Sequence, residues 1–190
     1  MEVPKLDNEV EHTSVQRSVT GTLLRVDNRG VLIRGESGTG KSDLALELIA
    51  RGHKLIADDA VDISVAGASL IGKAPSMLFG YLAVRDLGIV DIQQLYGTES
   101  VAATATVDVC VDLNAAGSKE EIDTPGTERI FVELFDVRIP LFEVRGVRNR
   151  PLAVIVETLV RLVNSDASDA EKHLIEKYNA GIAAPPIEML

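Results

Sequence analysis

The spacing of hydrophobic positions predicts many short strands and a few helices. Apolar, β-branched runs bounded by turn residues indicate strands. Such runs occupy 18–26, 31–34, 54–57, 61–65, 68–71, 81–84, 106–113, 129–137 and 139–144. Apolar positions three or four residues apart indicate helices, and these occupy 41–51, 91–96, 151–164 and 168–181. Short turns at 27–30 and 66–67 join neighbouring runs as hairpins. We therefore predict an α/β fold with a mixed β-sheet core flanked by helices.

Finer features of the pattern make further predictions. Asp91 is placed to cap a short helix that Gly97 ends, and Gly52 is placed to end the first long helix. Valines alternating with polar residues over 106–113 predict a strand that is exposed on one face. Pro140 predicts an edge strand or a bulge, because proline cannot donate a hydrogen bond to a neighbouring strand.

Length and composition fit one domain with short appendages. The chain has 190 residues, enough to bury a core. We assign 16–165 to a P-loop domain, 1–15 to a flexible lead-in, and 166–190 to a C-terminal helix and loose tail. No apolar run could span a membrane, no signal-peptide core is present, and the one cysteine, Cys110, excludes an internal disulfide. We therefore expect a cytoplasmic protein, and the net charge of −10 argues against a nucleic-acid-binding face.

Residues 35–42 match the Gly-x4-Gly-Lys-Ser/Thr phosphate-binding loop. A strand-like run precedes the motif and a helical pattern follows it, which is the context that this loop requires. Its glycines allow backbone N–H groups to turn toward a phosphate, and the helix N-terminus adds partial positive charge. A ligand-free glycine turn would not need the Lys-Ser pair in this register, so we predict a nucleotide site.

Each residue of the loop has a predicted role in that site. Lys41 can reach the β- and γ-phosphates of ATP, and the Ser42 hydroxyl can bind a bridging Mg²⁺. The predicted nucleotide-binding residues are Gly35, Glu36, Ser37, Gly38, Thr39, Gly40, Lys41 and Ser42.

Two aspartates follow the next predicted strand. Asp58 and Asp59 come at its carboxyl end, which faces the ligand crevice in an open α/β sheet. One carboxylate can hold Mg²⁺, and the other can accept the proton of an attacking hydroxyl. A lone aspartate here is often a turn or cap residue, but the pair favours catalysis. We assign the metal to Ser42 and Asp59 and leave open which aspartate is the base.

Phosphoryl transfer also needs cations that neutralise the transferred group. Candidate arginines are Arg85, Arg145, Arg148 and Arg150. A lone arginine is usually a solvated surface residue, but three shortly before a helix favour an anion site. The histidines show no zinc spacing, and we expect His53 to cap the first helix.

Several stretches together resemble the catalytic domain of bacterial HPr kinase/phosphorylase. The likeness runs from the loop at 35–42 through Ala-Leu-Glu-Leu-Ile, Arg-Gly-His and Leu-Ile-Ala-Asp-Asp, which ends at Asp59. It continues through Val-Arg-x-Leu-Gly-Ile at 84–89 and the strand at 107–113. It then runs through Val144-Arg145 and Arg148-Asn149 to Leu-Ala-Val-Ile at 152–155. The unbroken run from Gly35 to Asp59 is much more specific than the loop alone.

The resemblance implies a P-loop fold related to phosphoenolpyruvate carboxykinase and a homo-oligomer, often a hexamer in the family. It implies ATP- and Mg²⁺-dependent phosphorylation of a serine on HPr, the small phosphocarrier protein of the sugar phosphotransferase system. By position, Lys41 and Ser42 would bind phosphate and metal, the Asp58–Asp59 pair would supply the base, and Arg145 would stabilise the phosphoryl group. Arg85 and Arg148 are further candidates for phosphate or substrate contacts. The longer members carry a separate N-terminal domain, so we expect this chain to be a catalytic core of the shorter kind.

Two departures from the family pattern change that expectation. Thr20 stands where the family has a histidine, and Ala83 stands where it has a glutamate expected to help hold Mg²⁺. Asp86 replaces a family glycine, so Asp86 or Asp59 could substitute as the metal ligand. We therefore expect the forward kinase reaction, and the phosphate-driven reverse reaction is the more doubtful activity.

Two other functions remain open at this level. A small-metabolite kinase of the shikimate-kinase kind has a similar loop, but those folds are rich in helices after it, whereas this chain is rich in strands. A nucleotide-binding regulatory module that has lost catalysis would explain Thr20 and Ala83. A Ras-like GTPase is disfavoured because the chain has no Asn-Lys-x-Asp segment.

Overall fold

The computed structural model describes residues 17–114, 130–145 and 150–164. In these ranges the strands are β1 (Arg17–Thr20), β2 (Thr22–Val26), β3 (Arg29–Gly35), β4 (Lys54–Ala57), β5 (Ala60–Ala66), β6 (Ser69–Lys73), β7 (Tyr81–Val84), β8 (Gly88–Asp91), β9 (Thr104–Thr106), β10 (Val109–Asn114), β11 (Ile130–Leu134) and β12 (Val137–Arg145). The helices there are α1 (Lys41–Ala50), α2 (Ile92–Tyr96) and α3 (Leu152–Asn164). The predicted lead-in at 1–15 and the predicted helix at 168–181 lie outside the described residues.

The strands form one six-stranded sheet, one four-stranded sheet and a two-stranded ribbon. The six-stranded sheet has the order β11-β12-β10-β3-β2-β4, and the four-stranded sheet has the order β1-β5-β6-β9. In the larger sheet β10 pairs in parallel with both β3 and β12, whereas β2 pairs antiparallel with β3. The predicted mixed sheet is therefore confirmed.

The central strands of the six-stranded sheet are buried on both faces. On one face, Leu24 and Ile33 pack with Leu44 and Leu48 of α1 and with apolar residues of α3. On the other face, side chains such as Leu23 and Leu32 pack with residues of the four-stranded sheet. Neighbouring residues thus point into different cores, as the two-residue period of a strand requires. Strands that are buried on both faces have continuous apolar runs in their sequence, and not an alternation of apolar and polar residues.

This double burial overturns the prediction of a half-exposed strand at 106–113. The chain divides there into β9 and β10, and Cys110 is fully buried in the middle of the larger sheet. The alternation of valines with polar residues predicted that the face carrying Cys110 is exposed to solvent. The four-stranded sheet covers that face instead. Burial raises the pKa of the Cys110 thiol to about 11, so the thiol is held in its unreactive, protonated form.

The predicted strand at 18–26 divides at Gly21. Its first half, β1, pairs with β5 in the smaller sheet, and its second half, β2, pairs with β4 in the larger sheet. A Cβ on Gly21 would lie 2.8 Å from the carbonyl oxygen of Ile33, so only glycine fits where the chain passes between sheets. The apolar pattern continues through Gly21, so the sequence did not predict that the chain passes from one sheet to the other there.

Other strand predictions have mixed outcomes. The hairpins β2–β3 and β5–β6 are confirmed. Strand β12 as a whole lies between β11 and β10, but at Pro140 it pairs only with β11, so the edge position predicted for this proline is confirmed locally. Pairing with β10 begins at Leu141, so the proline, which cannot donate a hydrogen bond, lies just outside that ladder. Strand β8, which completes a ribbon with β7, was not predicted.

The helices agree closely with the hydrophobic pattern. The Asp91 carboxylate accepts the amide of Gln94 at the start of α2, and Gly97, with φ of 90°, follows its end. Gly52, with φ of 96°, follows the end of α1. In the part of the chain that is described, no helix has the length and apolarity needed to cross a membrane.

Candidate active site

The predicted phosphate-binding loop connects β3 to α1. Gly35 ends the strand, and a Cβ there would lie only 2.6 Å from the carbonyl oxygen of Leu113 on neighbouring β10. Gly40 has φ of 91° and directly precedes the first helical residue, Lys41. Among the described residues no side chain caps the start of α1, so its first N–H groups point to a place where an anion can bind.

Side chains of the loop donate hydrogen bonds to the backbone of the same loop. The Lys41 ammonium donates to the carbonyl oxygens of Gly35 and Glu36, each at 2.9 Å. The Thr39 hydroxyl also donates to the Glu36 carbonyl, at 2.9 Å. Gly35, Glu36 and Thr39 therefore shape the loop, while Lys41 holds its charge directly over the loop backbone.

The two aspartates lie in the turn between β4 and β5, but their surroundings differ. Asp58 is 7% exposed, and its carboxylate accepts the Thr22 hydroxyl at 2.7 Å and the Ala83 amide at 3.2 Å. Asp59 is exposed, with φ of 64° in the left-handed region. No hydrogen bond or ion pair engages the Asp59 carboxylate within the described ranges. Asp58 is thus fixed, and Asp59 is open to a ligand.

A cleft of about 210 Å³ brings the loop and the acid pair together. The predicted site residues that line it are Ser37, Gly38, Gly40, Lys41, Ser42, Asp58, Asp59 and Arg85. Asp43 and Ala83 also line it, and neither had been predicted as a ligand-binding residue. Asp43 comes from the first turn of α1, so a search limited to the loop motif stops one residue short of it.

The predicted arginines are placed to different extents. The Arg85 guanidinium lies against the loop, since a Cβ on Gly38 would be 3.0 Å from Nη2 of Arg85. Arg145 ends β12 and pairs with Asn114, one residue beyond the pairing of Leu113 with Gly35. Its backbone therefore reaches the same sheet edge as the loop, while its side chain lies outside what the structure describes. Arg148 also lies outside the described residues.

The oxygen donors in the cleft suit Mg²⁺. A serine hydroxyl and carboxylates are hard ligands, and Mg²⁺ commonly takes one or two carboxylates together with phosphate oxygens and water. Ser42 and Asp59 supply such a pair. Across residues 17–114, 130–145 and 150–164, no three acidic, histidine or cysteine side chains cluster as a self-sufficient metal site. A magnesium ion bound here would take its remaining ligands from water or from the phosphates of a nucleotide.

A second polar cluster lies at the opposite end of α1. Glu157 of α3 is 6% exposed and accepts two bonds from Arg51, both at 2.7 Å. It also meets His53 Nε2 at 2.9 Å. Hydrogen bonds from Arg51 and then His53 lower the pKa of Glu157 to about 2, against the opposing effect of burial. His53 also caps α1 through its amide, which donates to the Leu48 carbonyl. The pairing with Glu157 was not predicted.

The loop, helix and mixed sheet define an α/β P-loop protein, and comparison with known proteins narrows the class. A family model described as the HPr Serine kinase C-terminal domain matches residues 11–178. That match spans most of the chain, so the chain belongs to this family.

Named relatives and a solved structure agree with the assignment. The chain is 39% identical over 148 residues to the HPr kinase/phosphorylase of Thermoanaerobacter sp. (strain X514), covering 77% of this chain and 48% of that protein. It is 42% identical over 140 residues to the HPr kinase/phosphorylase of Treponema pallidum (strain Nichols), covering 73% and 44%. The chain thus spans about half the length of these curated relatives.

The structural likeness is to the Hpr(Ser) kinase/phosphatase from Coxiella burnetii. The TM-score is 0.71 at 31% sequence identity, and the match covers 78% of this chain and 96% of that one. The HPr-kinase-like fold expected from the sequence is therefore confirmed.

Proposed function

We propose that this protein is an ATP- and Mg²⁺-dependent kinase that transfers the γ-phosphoryl group to a serine of an HPr-like phosphocarrier protein. The observation that carries the proposal is the meeting, in one cleft, of Lys41 and Ser42 from the loop with Asp59 from the β4–β5 turn. The names of the relatives support the acceptor, because each is called an HPr kinase. The homo-oligomer and the cytoplasmic setting stay predictions.

Each side of the cleft has a separate task in this proposal. The N–H groups at the start of α1 bind the phosphates, and Lys41 exchanges its two carbonyl partners for phosphate oxygens. Ser42 and the Asp43 carboxylate, which both line the cleft, would hold Mg²⁺, and the ion would supply positive charge that the loop alone lacks. The carboxylate of Asp59, the ligand predicted from the sequence, then remains available as the base. Arg85, already against Gly38, neutralises charge at the mouth of the loop.

The surroundings of the aspartates favour Asp59 as the base. Both oxygens of Asp58 already accept hydrogen bonds from the protein, so Asp58 is fixed in place. Asp59 faces the cleft without such a partner, and a general base must be within reach of the proton that it accepts. In the proposed reaction the serine oxygen attacks the γ-phosphorus, its proton passes to Asp59, and ADP leaves.

A second candidate is a nucleotide-binding module without phosphoryl transfer. It is favoured by Ala83, which lines the cleft where the family pattern predicted a metal-binding glutamate. Asp43 lies in the same lining and offers another carboxylate to a metal. The two candidates therefore differ in whether Asp43 replaces the metal-binding carboxylate that Ala83 lacks.

The test is transfer of label from γ-labelled ATP in the presence of Mg²⁺. The purified protein is incubated with HPr, with a set of sugars and amino acids, or with no acceptor, and labelled products are identified by mass spectrometry. Phosphoserine on HPr supports the proposal. Label appearing only on a small metabolite contradicts the protein acceptor, and tight ATP binding without transfer supports the second candidate.

A further inference from the structure

Asp58 and Asp59 lie where two antiparallel segments of the chain pass side by side from the four-stranded sheet to the six-stranded sheet. Before this point β1 pairs with β5, through Thr20 and Ala60, and after it β2 pairs with β4, through Leu23 and Ala57. Two residues on each segment lie between these pairs. Gly21 and Thr22 are therefore opposite Asp58 and Asp59, in a gap that no regular strand pairing covers.

Hydrogen bonds close this gap from three directions. The Gly21 amide donates to the Asp59 carbonyl at 3.2 Å. The Thr22 hydroxyl donates to one Asp58 carboxylate oxygen at 2.7 Å, and the Ala83 amide donates to the other at 3.2 Å. Thr22 thus links the Asp58 side chain to β2, and Ala83 links it to the ribbon that carries Arg85.

The Thr22 contact is buried, which makes it consequential. Thr22 is 0% exposed and Asp58 is 7% exposed, so little water can replace a lost bond. A hydroxyl donating to a carboxylate is a stronger bond than one between neutral groups. Without the hydroxyl, one Asp58 oxygen would lack its donor, and the side chain could turn away from Ala83.

We propose that Thr22 is a positioning residue for phosphoryl transfer. Its hydroxyl fixes Asp58 against Ala83, and this fixed turn holds Asp59 in its left-handed conformation facing the cleft. The inference rests on the proposed kinase function, because it assigns Thr22 a part in presenting the base. Thr22 itself touches neither substrate nor nucleotide, since it does not line the cleft.

The variant that isolates the hydroxyl is Thr22→Val, which keeps the shape and removes the donor. Thr22→Ser keeps the hydroxyl and loses a methyl group, and Thr22→Ala loses both. The matched control is Thr158→Val on the exposed side of α3, where the hydroxyl donates only to the carbonyl of Val154 in its own helix, at 2.7 Å.

Two measurements are made on each variant. The first is kcat for HPr and KM for ATP, because loss of a residue that orients a catalytic group typically costs about 10- to 100-fold. The second is amide hydrogen exchange at Ala83, which reports directly on its bond to Asp58 and needs no activity. We expect Thr22→Val to lower kcat about 10- to 100-fold with KM for ATP within about threefold. We also expect Ala83 exchange to rise about tenfold or more.

The Thr22→Ser variant separates the effect of the hydroxyl from the effect of side-chain packing. Thr22→Ser is expected to recover most of kcat and the slow Ala83 exchange, while Thr22→Ala behaves like Thr22→Val and Thr158→Val behaves like the wild type. Unchanged kcat in Thr22→Val would overturn the proposal. Equal losses in the serine and valine variants would do the same, because packing alone would then explain them.

The exchange measurement distinguishes failure of this inference from failure of the proposed function. A wild-type protein that phosphorylates no acceptor contradicts the kinase proposal, and the catalytic part of the Thr22 inference fails with it. Faster Ala83 exchange in Thr22→Val and Thr22→Ala, but not in Thr22→Ser, would still support the link from Thr22 to Asp58. Identical exchange in all variants contradicts that link whatever the activity.

Discussion

The two ends of helix α1 carry polar clusters of opposite character. At the C-terminal end, Arg51, His53 and Glu157 satisfy one another, and the carboxylate at their centre is buried. At the N-terminal end, among the described residues, Lys41 bonds only to backbone carbonyls of its own loop, and the first amides of the helix have no capping side chain.

This difference distinguishes a structural cluster from a candidate functional one. The C-terminal end is closed, because both oxygens of the Glu157 carboxylate already have partners on Arg51 or His53, and these bonds hold α3 against α1. The N-terminal end is open, because within the described residues its first amides have no capping side chain and the Asp59 carboxylate has no hydrogen-bond partner. A nucleotide and an acceptor hydroxyl would supply such partners. Of two charged clusters, the one whose polar groups lack hydrogen-bond partners in the protein is the better candidate for ligand binding and catalysis.

The largest expected effect comes from removing the charge at the open end. Lys41→Ala should lower kcat/KM for ATP by about 10³-fold, because the phosphates lose a preorganised cation. Steady-state kinetics with HPr checks this, and thermal unfolding shows whether the fold survives. Activity within tenfold of the wild type would mean that Lys41 does not contact the phosphates.

The next effect separates the two acids. Asp59→Asn should lower kcat by roughly 10²- to 10³-fold while ATP still binds, because it removes the proposed base and leaves the loop intact. Asp58→Asn should also lose stability, because an amide nitrogen donates and does not accept, so only one of the bonds from Thr22 and Ala83 could be kept. Equal activity of Asp59→Asn and the wild type would rule out Asp59 as the base.

At the closed end the expected effect is on stability. Glu157→Gln should lower the free energy of unfolding by about 1–2 kcal/mol, because a buried, charge-assisted acceptor is lost. ATP affinity should stay within about threefold of the wild type, since the loop end of α1 is untouched. Urea unfolding and calorimetry measure the two quantities. A large loss of ATP affinity without loss of stability would reverse the assignment of the two ends.

The smallest effect is the pH dependence of the same cluster. The pKa of Glu157 is lowered from its ordinary 4.5 to about 2 in the folded protein. A lowered folded-state pKa stabilises the protein above the unfolded pKa, and this stabilisation is lost as the pH falls from about 4.5 toward 2. Urea unfolding across this window should show the difference between wild type and Glu157→Gln shrinking. A difference that stays constant would contradict the depressed pKa.

The sequence indicated the loop at the start of α1 because local chemistry determines it. The glycines, Lys41 and Ser42 lie within one short motif, and their roles in binding a nucleotide stay predictions. The Asp58–Asp59 pair was likewise visible, since it directly follows a strand in the same βαβ unit. Their division into a fixed and an open acid was not visible, because it depends on Thr22 and Ala83, which approach from other strands.

The closed end shows why tertiary pairing escaped prediction. His53 was expected only to cap α1, yet its ring meets Glu157, which is 104 positions away in the sequence. The hydrophobic pattern marks Glu157 simply as a polar position in α3, and nothing local links it to Arg51. Similarly, the passage between sheets at Gly21 leaves the apolar pattern unbroken, so it appears only when strand partners are known.

Calorimetry of ATP binding in the presence of Mg²⁺ tests the central claim most directly, namely that the open end of α1 binds a nucleoside triphosphate. We expect saturable binding to the wild type and to Glu157→Gln, and loss of detectable binding to Lys41→Ala. No binding to the wild type, or equal binding to the wild type and Lys41→Ala, would contradict the account.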